Sequence, residues 1–78
     1  MEKKYKIIIR EEDKLIIRKY TSEEFYNKYI GKDMTNDEFV EFQIELDDWI
    51  VSLFDKYDNT TKESRELQRV YDNIYNDN

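Results

Sequence analysis

Six residues in the middle of the chain have carboxylate side chains at spacings that could form a surface for a basic partner. Five of them follow one another at intervals of four, four, three and seven residues, and the sixth borders this row. Side chains three or four residues apart are neighbours on one face of an α-helix. At 1.5 Å per residue, the predicted row would extend about 27 Å. The six residues are Asp37, Glu38, Glu41, Glu45, Asp48 and Asp55.

Such a row costs helix stability, because like charges at these spacings repel each other. The helix predicted around it contains one cation, Lys56, near its end. A regular row of anions with little compensation resembles one strand of a nucleic-acid backbone in charge and spacing. The pattern therefore predicts a surface that a basic, phosphate-binding groove would accept. The alternative is a solvated helix face that only keeps the protein in solution.

Charge is unevenly distributed along the chain, whose formal net charge is −6. Residues 1–20 carry seven cations and four acids, residues 21–59 three cations and eleven acids, and residues 60–78 three cations and four acids. An acidic surface repels nucleic acid and anionic membranes and attracts basic surfaces. We therefore expect a protein partner with a basic surface, and neither direct nucleic-acid binding nor membrane binding.

Catalysis is poorly supported by the composition. The chain has no His and no Cys, so the commonest general base and the strongest nucleophile are missing. A single Gly cannot build a phosphate-cradling loop. We expect a non-enzymatic protein without a cofactor. A cysteine-free chain without a signal-peptide core or a membrane-length apolar run also fits the cytoplasm.

One segment superficially matches a calcium-binding loop. With Asp55 at the first position, Asn59, Glu63 and Glu66 would occupy the fifth, ninth and twelfth positions. However, Tyr57 stands at the third position, where an oxygen ligand is needed, and the sixth position lacks the Gly of the sharp turn. We therefore predict no metal site.

Three helix starts are marked by capping boxes, in which a Thr precedes a Glu by three residues. Gly31 is the predicted left-handed stop of the first helix. The second helix is predicted to be the longest and to carry the acid row. The boxes are Thr21/Glu24, Thr35/Glu38 and Thr60/Glu63, and the predicted helices cover residues 22–30, 36–57 and 61–75.

The N-terminal residues 3–20 predict a β-hairpin. Two isoleucine-rich runs, at 5–10 and 14–18, flank a polar triplet at 11–13. Pairing them through that triplet gathers apolar side chains on one face. The predicted fold is therefore α+β: one domain, 1–78, in which a two-stranded hairpin packs on three α-helices. The hairpin face predicted to meet the helices contains Tyr5, Ile7, Ile9, Leu15 and Ile17.

The other hairpin face is a second candidate interface, because Ile8 and Ile16 lie there beside Arg10 and Arg18. An open ribbon can form a homodimer, accept a strand or contact a partner. Alternatively, a helix covers this face, or the cations only guard the strand edge.

A third candidate lies beside the main apolar face of the second predicted helix. It consists of Val40, Ile44 and Val51. These residues either touch a neighbouring helix inside the domain or form an apolar rim along the acid row, where a partner would gain contact area.

Size, the missing Cys and His, the tyrosine-rich acidic composition and the acid row together resemble a class of small proteins from phages and mobile elements. These proteins, which include anti-CRISPR proteins and other DNA mimics, block host nucleic-acid enzymes. The resemblance implies an inhibitor that occupies a basic cleft. Nuclease immunity proteins share the acidic, helical profile, although they are all-helical and the predicted hairpin departs from them. A generic interaction module, or a homodimeric phage or plasmid accessory protein, is the other alternative.

Overall fold

The computed structural model describes residues 3–78, which form four α-helices and no β-strand. The predicted α+β fold with an N-terminal hairpin is therefore wrong, because the described part of the chain is all-helical. The longest helix carries five of the six carboxylates of the predicted acidic surface. In chain order the helices are α1 (Glu11–Tyr20), α2 (Glu23–Tyr29), α3 (Asn36–Ser52) and α4 (Lys62–Asp77).

Helix α1 replaces the turn and second strand of the predicted hairpin. Its first turn is acidic and its last turn contains Arg18 and Lys19, which matches the helix dipole at both ends. Asp13 and Ile17 lie four residues apart on its buried face. The amide of Asn73 in α4 donates a hydrogen bond of 3.2 Å to the Asp13 carboxylate. Burial and end charges thus override the β preference of the isoleucines.

Residues 3–10 belong to no helix or strand, and they pair with the rest of the molecule at isolated points. Tyr5 and Met34 exchange two backbone hydrogen bonds of 2.8 and 2.9 Å in one antiparallel bridge. Further along, the side-chain amide of Asn78 donates to the carbonyl of Ile8 and accepts from its N–H, both at 2.9 Å. The Asn78 side chain thereby forms the two hydrogen bonds that the backbone of a neighbouring strand would form.

The predicted starts of the next two helices are largely right. Ser22, one residue after the predicted Thr21, caps α2 by accepting from the N–H of Phe25. The α3 capping box forms as predicted between Thr35 and Glu38. Gly31 has φ +81°, which confirms it as the left-handed residue after α2.

The predicted second helix is too long at its C-terminal end. Helix α3 stops at Ser52, and a loop containing Asp58 at φ 62° follows. Helix α4 starts one residue later than predicted: the side chain of Thr61 accepts from the N–H of Ser64, and the Ser64 hydroxyl accepts from the N–H of Thr61.

All four helices contribute to one apolar core. Helix α4 packs against both α1 and α3. Helix α2 contacts α3 through aromatic rings, with the centroid of Phe42 lying 5.8 Å from Phe25 and 5.2 Å from Tyr29. The buried apolar residues are Ile17, Phe25, Tyr29, Ile30, Met34, Phe42, Leu46, Ile50, Leu67, Val70 and Ile74.

None of the helices in residues 3–78 combines the length and apolar character needed to cross a lipid bilayer.

Candidate functional site

Helix α3 concentrates the negative charge of the protein. It contains six acidic residues and no cation. The whole chain has thirteen cations and nineteen acids, so the residues outside α3 carry thirteen of each sign. The formal net charge of −6 is therefore the charge of this one helix. Its buried face is fixed by Phe42, Leu46 and Ile50, which leaves the acids on the remaining faces.

Glu38 closes the α3 capping box. Its carboxylate accepts a hydrogen bond of 2.9 Å from the backbone N–H of Thr35. That bond lowers the pKa of Glu38 below its ordinary value. Glu38 therefore has a helix-capping role, and its partner-binding role stays a prediction.

Glu45 is held by helix α2. The hydroxyl of Tyr29 donates a hydrogen bond to its carboxylate, and the ammonium of Lys28 lies 3.4 Å from it. Burial and then this hydrogen bond raise the pKa of Tyr29. Glu45 therefore joins α2 to α3, and part of its charge is compensated within the domain.

Asp55 lies outside the helix that was predicted to carry it. Its carboxylate accepts from the backbone N–H of Asn59 at 3.0 Å and of Tyr57 at 2.8 Å. These bonds, the one from Asn59 first, lower the pKa of Asp55. The carboxylate thus stabilises the loop between α3 and α4. Residues 3–78 contain no group of three or more His, Cys, Asp or Glu side chains that could hold a metal ion.

Three of the six predicted residues remain together as an open row. Asp37, Glu41 and Asp48 are exposed and take part in no salt bridge within residues 3–78. Their spacing of four and seven residues places them on one side of α3. At 1.5 Å per residue the shortened row extends about 17 Å.

An apolar stripe runs beside this row. Val40, Ile44 and Val51 are 51%, 58% and 52% exposed, so no neighbouring helix in the described part of the domain covers them. These residues therefore form an apolar rim along the acid row and are not covered by a neighbouring helix of residues 3–78. We call the open row, this stripe and Asp47 together the α3 outer face.

The second predicted interface does not form. Ile8 lies exposed on the N-terminal segment, whereas Ile16 is partly buried against the core. Arg10 pairs with Asp77 at 2.9 Å, and the guanidinium of Arg18 lies 5.4 Å from the ring centre of Tyr26. Without a hairpin, Ile8 and Arg10 lie on the N-terminal segment and Ile16 and Arg18 on α1, so the four do not form one strand face.

Asp47 is a surface residue that the predicted row omitted. It is exposed, and it lines an open depression of about 350 Å³ between α3 and α4 together with Ile44 and Tyr71. The sequence carried a signal for it, since Asp47 follows Ile44 by three residues and precedes Val51 by four. The α3 outer face is thus a mixed acidic and aliphatic surface.

Comparison with known proteins finds no relative: no family model, no curated protein and no solved structure matches the chain.

Proposed function

We propose that this protein is a non-enzymatic inhibitor whose α3 outer face enters the basic nucleic-acid-binding cleft of another protein, in the manner of anti-CRISPR proteins and other DNA mimics. The observation that carries the proposal is the charge of α3. The helix accounts for the net charge of the chain, and Asp37, Glu41 and Asp48 lie exposed on it without an ion pair among the described residues.

Electrostatics explains why this surface suits such a cleft. Clefts that bind nucleic acid are lined by Lys and Arg, and complementary potentials speed association and exclude wrong partners. The carboxylates of Asp37, Glu41 and Asp48 would replace phosphates against those cations. On this proposal the protein acts in the cytoplasm, since a cysteine-free chain fits reducing conditions.

Affinity capture followed by polyanion competition tests the proposal. The immobilised protein is exposed to lysate at low and at physiological salt, and each captured protein is purified and assayed for nucleic-acid binding. We expect a nucleic-acid-binding protein that heparin or duplex DNA displaces in competition with the chain. A captured protein that binds the chain and nucleic acid simultaneously would contradict cleft occupation.

A matched pair of variants separates the α3 outer face from general acidity. D37N/E41Q/D48N neutralises the open row, and E12Q/E24Q/E63Q removes the same charge from exposed positions on the other three helices. Neither variant breaks an ion pair among residues 3–78, because none of the six side chains forms a salt bridge there. We expect capture to be lost only with the first variant. Equal loss with both would mean that net charge alone governs binding.

A nuclease immunity protein is a second candidate of the same kind. The all-helical architecture of residues 3–78 favours it, because the hairpin that set the chain apart from such proteins is absent. A captured nuclease whose catalysis stops while its nucleic-acid binding persists would favour this alternative over mimicry. The homodimer alternative has lost the hairpin surface on which it depended, and a generic interaction module remains if the captured protein binds no nucleic acid.

A further inference from the structure

The open acid row and the apolar stripe of α3 have the same residue spacing along the helix. Asp37, Glu41 and Asp48 are each followed three residues later by an exposed aliphatic residue. Residues three apart are neighbours on a helix surface. Apart from Asp47, the α3 outer face therefore consists of three carboxylate–aliphatic pairs, Asp37/Val40, Glu41/Ile44 and Asp48/Val51.

Nucleic-acid mimicry does not explain the exposed aliphatic residue of each pair. Single exposed hydrophobic residues are ordinary on protein surfaces. Here three β-branched aliphatic residues line up on one helix, each about half exposed. Aligned exposed apolar residues with a polar border are typical of protein interaction sites. Phosphate-binding cations alone would leave this stripe in water.

The spacing of the stripe fits a helical occupant. Val40 and Val51 are eleven residues apart, which corresponds to about 17 Å of helix. Side-chain ridges of one helix pack into grooves of another. The depression between α3 and α4, lined by Ile44, Asp47 and Tyr71, offers a groove of about 350 Å³ for one side chain of such a helix.

The negative charge of α3 restricts which kind of helix can bind this face. Helix α3 has no Lys or Arg, so the same face of a second copy would bring carboxylates against carboxylates. A partner helix with aliphatic residues along one stripe and Lys or Arg beside them satisfies both halves of each pair. Long basic side chains can cover apolar surface with their stems while their charged ends reach the carboxylates.

We infer that the α3 outer face binds a cationic amphipathic helix of its partner, with aliphatic residues of that helix on Val40, Ile44 and Val51 and its cations on Asp37, Glu41 and Asp48. This inference rests on the proposed function in one respect, that a cationic protein meets this face. It adds that the contact is a helix and that apolar burial supplies part of the affinity.

Model peptides test the inference without knowledge of the partner. The first peptide is a helix of Leu and Lys with Leu at i, i+4, i+7 and i+11, and the second has the same composition in scrambled order. Binding is followed by fluorescence anisotropy at physiological salt. We expect the first peptide to bind about tenfold more tightly than the second, since apolar burial adds to equal charge.

Variants of the protein identify the face that the peptide uses. V40T/I44T/V51T keeps β-branched side chains but makes them polar, and we expect it to remove the preference for the amphipathic peptide. D37N/E41Q/D48N is expected to weaken both peptides. L15T is the matched control, because Leu15 is also an exposed aliphatic residue but lies on α1. Unchanged binding by L15T, with far-ultraviolet circular dichroism confirming helicity of all variants, supports the assignment.

Three outcomes would overturn the inference. Equal binding of both peptides, unaffected by V40T/I44T/V51T, would show that the face recognises charge alone and would leave the proposed inhibitor intact. No binding of either peptide would also reject the helix, while lysate capture judges the inhibitor independently. A wild-type dimer in light scattering that V40T/I44T/V51T converts to a monomer would make a second copy the occupant.

Discussion

The hydroxyl of Tyr29 donates a hydrogen bond to the carboxylate of Glu45, and this contact joins α2 to the acidic helix α3. Tyr29 is otherwise buried among aromatic rings, so its polar end reaches the surface at this carboxylate. The contact separates two kinds of acid on α3. Glu45 belongs to the fold, whereas Asp37, Glu41 and Asp48 remain available to a partner.

Removing the Tyr29 hydroxyl tests this division. We expect Tyr29→Phe to lower the free energy of unfolding by about 1 kcal/mol, the usual net contribution of one hydrogen bond. Urea unfolding followed by circular dichroism measures the change. Tyr57→Phe is the control and is expected to leave stability unchanged, because the Tyr57 side chain is 72% exposed. Equal effects of the two substitutions would contradict the role assigned to Tyr29.

Two adjacent threonines test where α4 begins. The hydroxyl of Thr61 donates to the carbonyl of Leu53 at 2.6 Å and accepts from the N–H of Ser64 at 3.1 Å. We therefore expect Thr61→Ala to destabilise the protein by about 1 kcal/mol. Thr60 is exposed, and we expect Thr60→Ala to change stability by less than about 0.5 kcal/mol. Thermal unfolding of the two variants decides between the predicted and the observed cap.

Leu15 and Ile17 distinguish a helix from a strand at residues 11–20. A strand would place both on the same face, whereas in α1 Leu15 is 70% exposed and Ile17 is 0% exposed. We expect Ile17→Ala to cost about 2–5 kcal/mol. Leu15→Ala is expected to be nearly neutral, because it deletes little buried area and Ala favours helix. A comparable loss of stability in both variants would indicate the hairpin.

The capping carboxylate of Glu38 predicts a specific dependence on pH. Its pKa is lowered by the hydrogen bond from the backbone N–H of Thr35. A carboxylate with a lowered pKa in the folded state adds stability above its unfolded pKa, and this contribution is lost as the pH falls through the folded value. Glu38→Gln keeps a side-chain acceptor without the charge.

We therefore expect wild type to exceed Glu38→Gln in stability at pH 7 and this difference to shrink as the pH is lowered below the ordinary Glu pKa of about 4.3. Urea midpoints measured from pH 7 to strong acid follow the difference. A gap that stays constant over the whole range would mean that the charge of Glu38 contributes nothing.

The helical part of the fold was largely readable from local signals. Thr35 with Glu38 and Gly31 after α2 act through their nearest neighbours, so the sequence suffices to locate them. The cap of α4 shows the limit of such signals. Thr60 and Thr61 both precede a suitable partner by three residues, and the bond from Thr61 to the distant carbonyl of Leu53 selects one of them.

The N-terminal region was misread because its short isoleucine runs fit a strand and a helix alike. What favours α1 is tertiary: the burial of Ile17 and the bond from Asn73 to Asp13, sixty residues away. The acid row differs from its predicted arrangement because of contacts and a helix end that the local pattern does not show. Asp55 lies beyond the end of α3, and the bond from Tyr29 that occupies Glu45 comes from another helix.

Whether the α3 outer face is the binding surface is tested most directly by affinity. A purified captured partner is titrated with three forms of the protein across a range of salt concentrations. We expect D37N/E41Q/D48N to bind at least about tenfold more weakly than wild type and to lose much of the salt dependence. The charge-matched E12Q/E24Q/E63Q is expected to bind like wild type. Wild-type affinity in D37N/E41Q/D48N at physiological salt would show that the α3 outer face is not the binding surface.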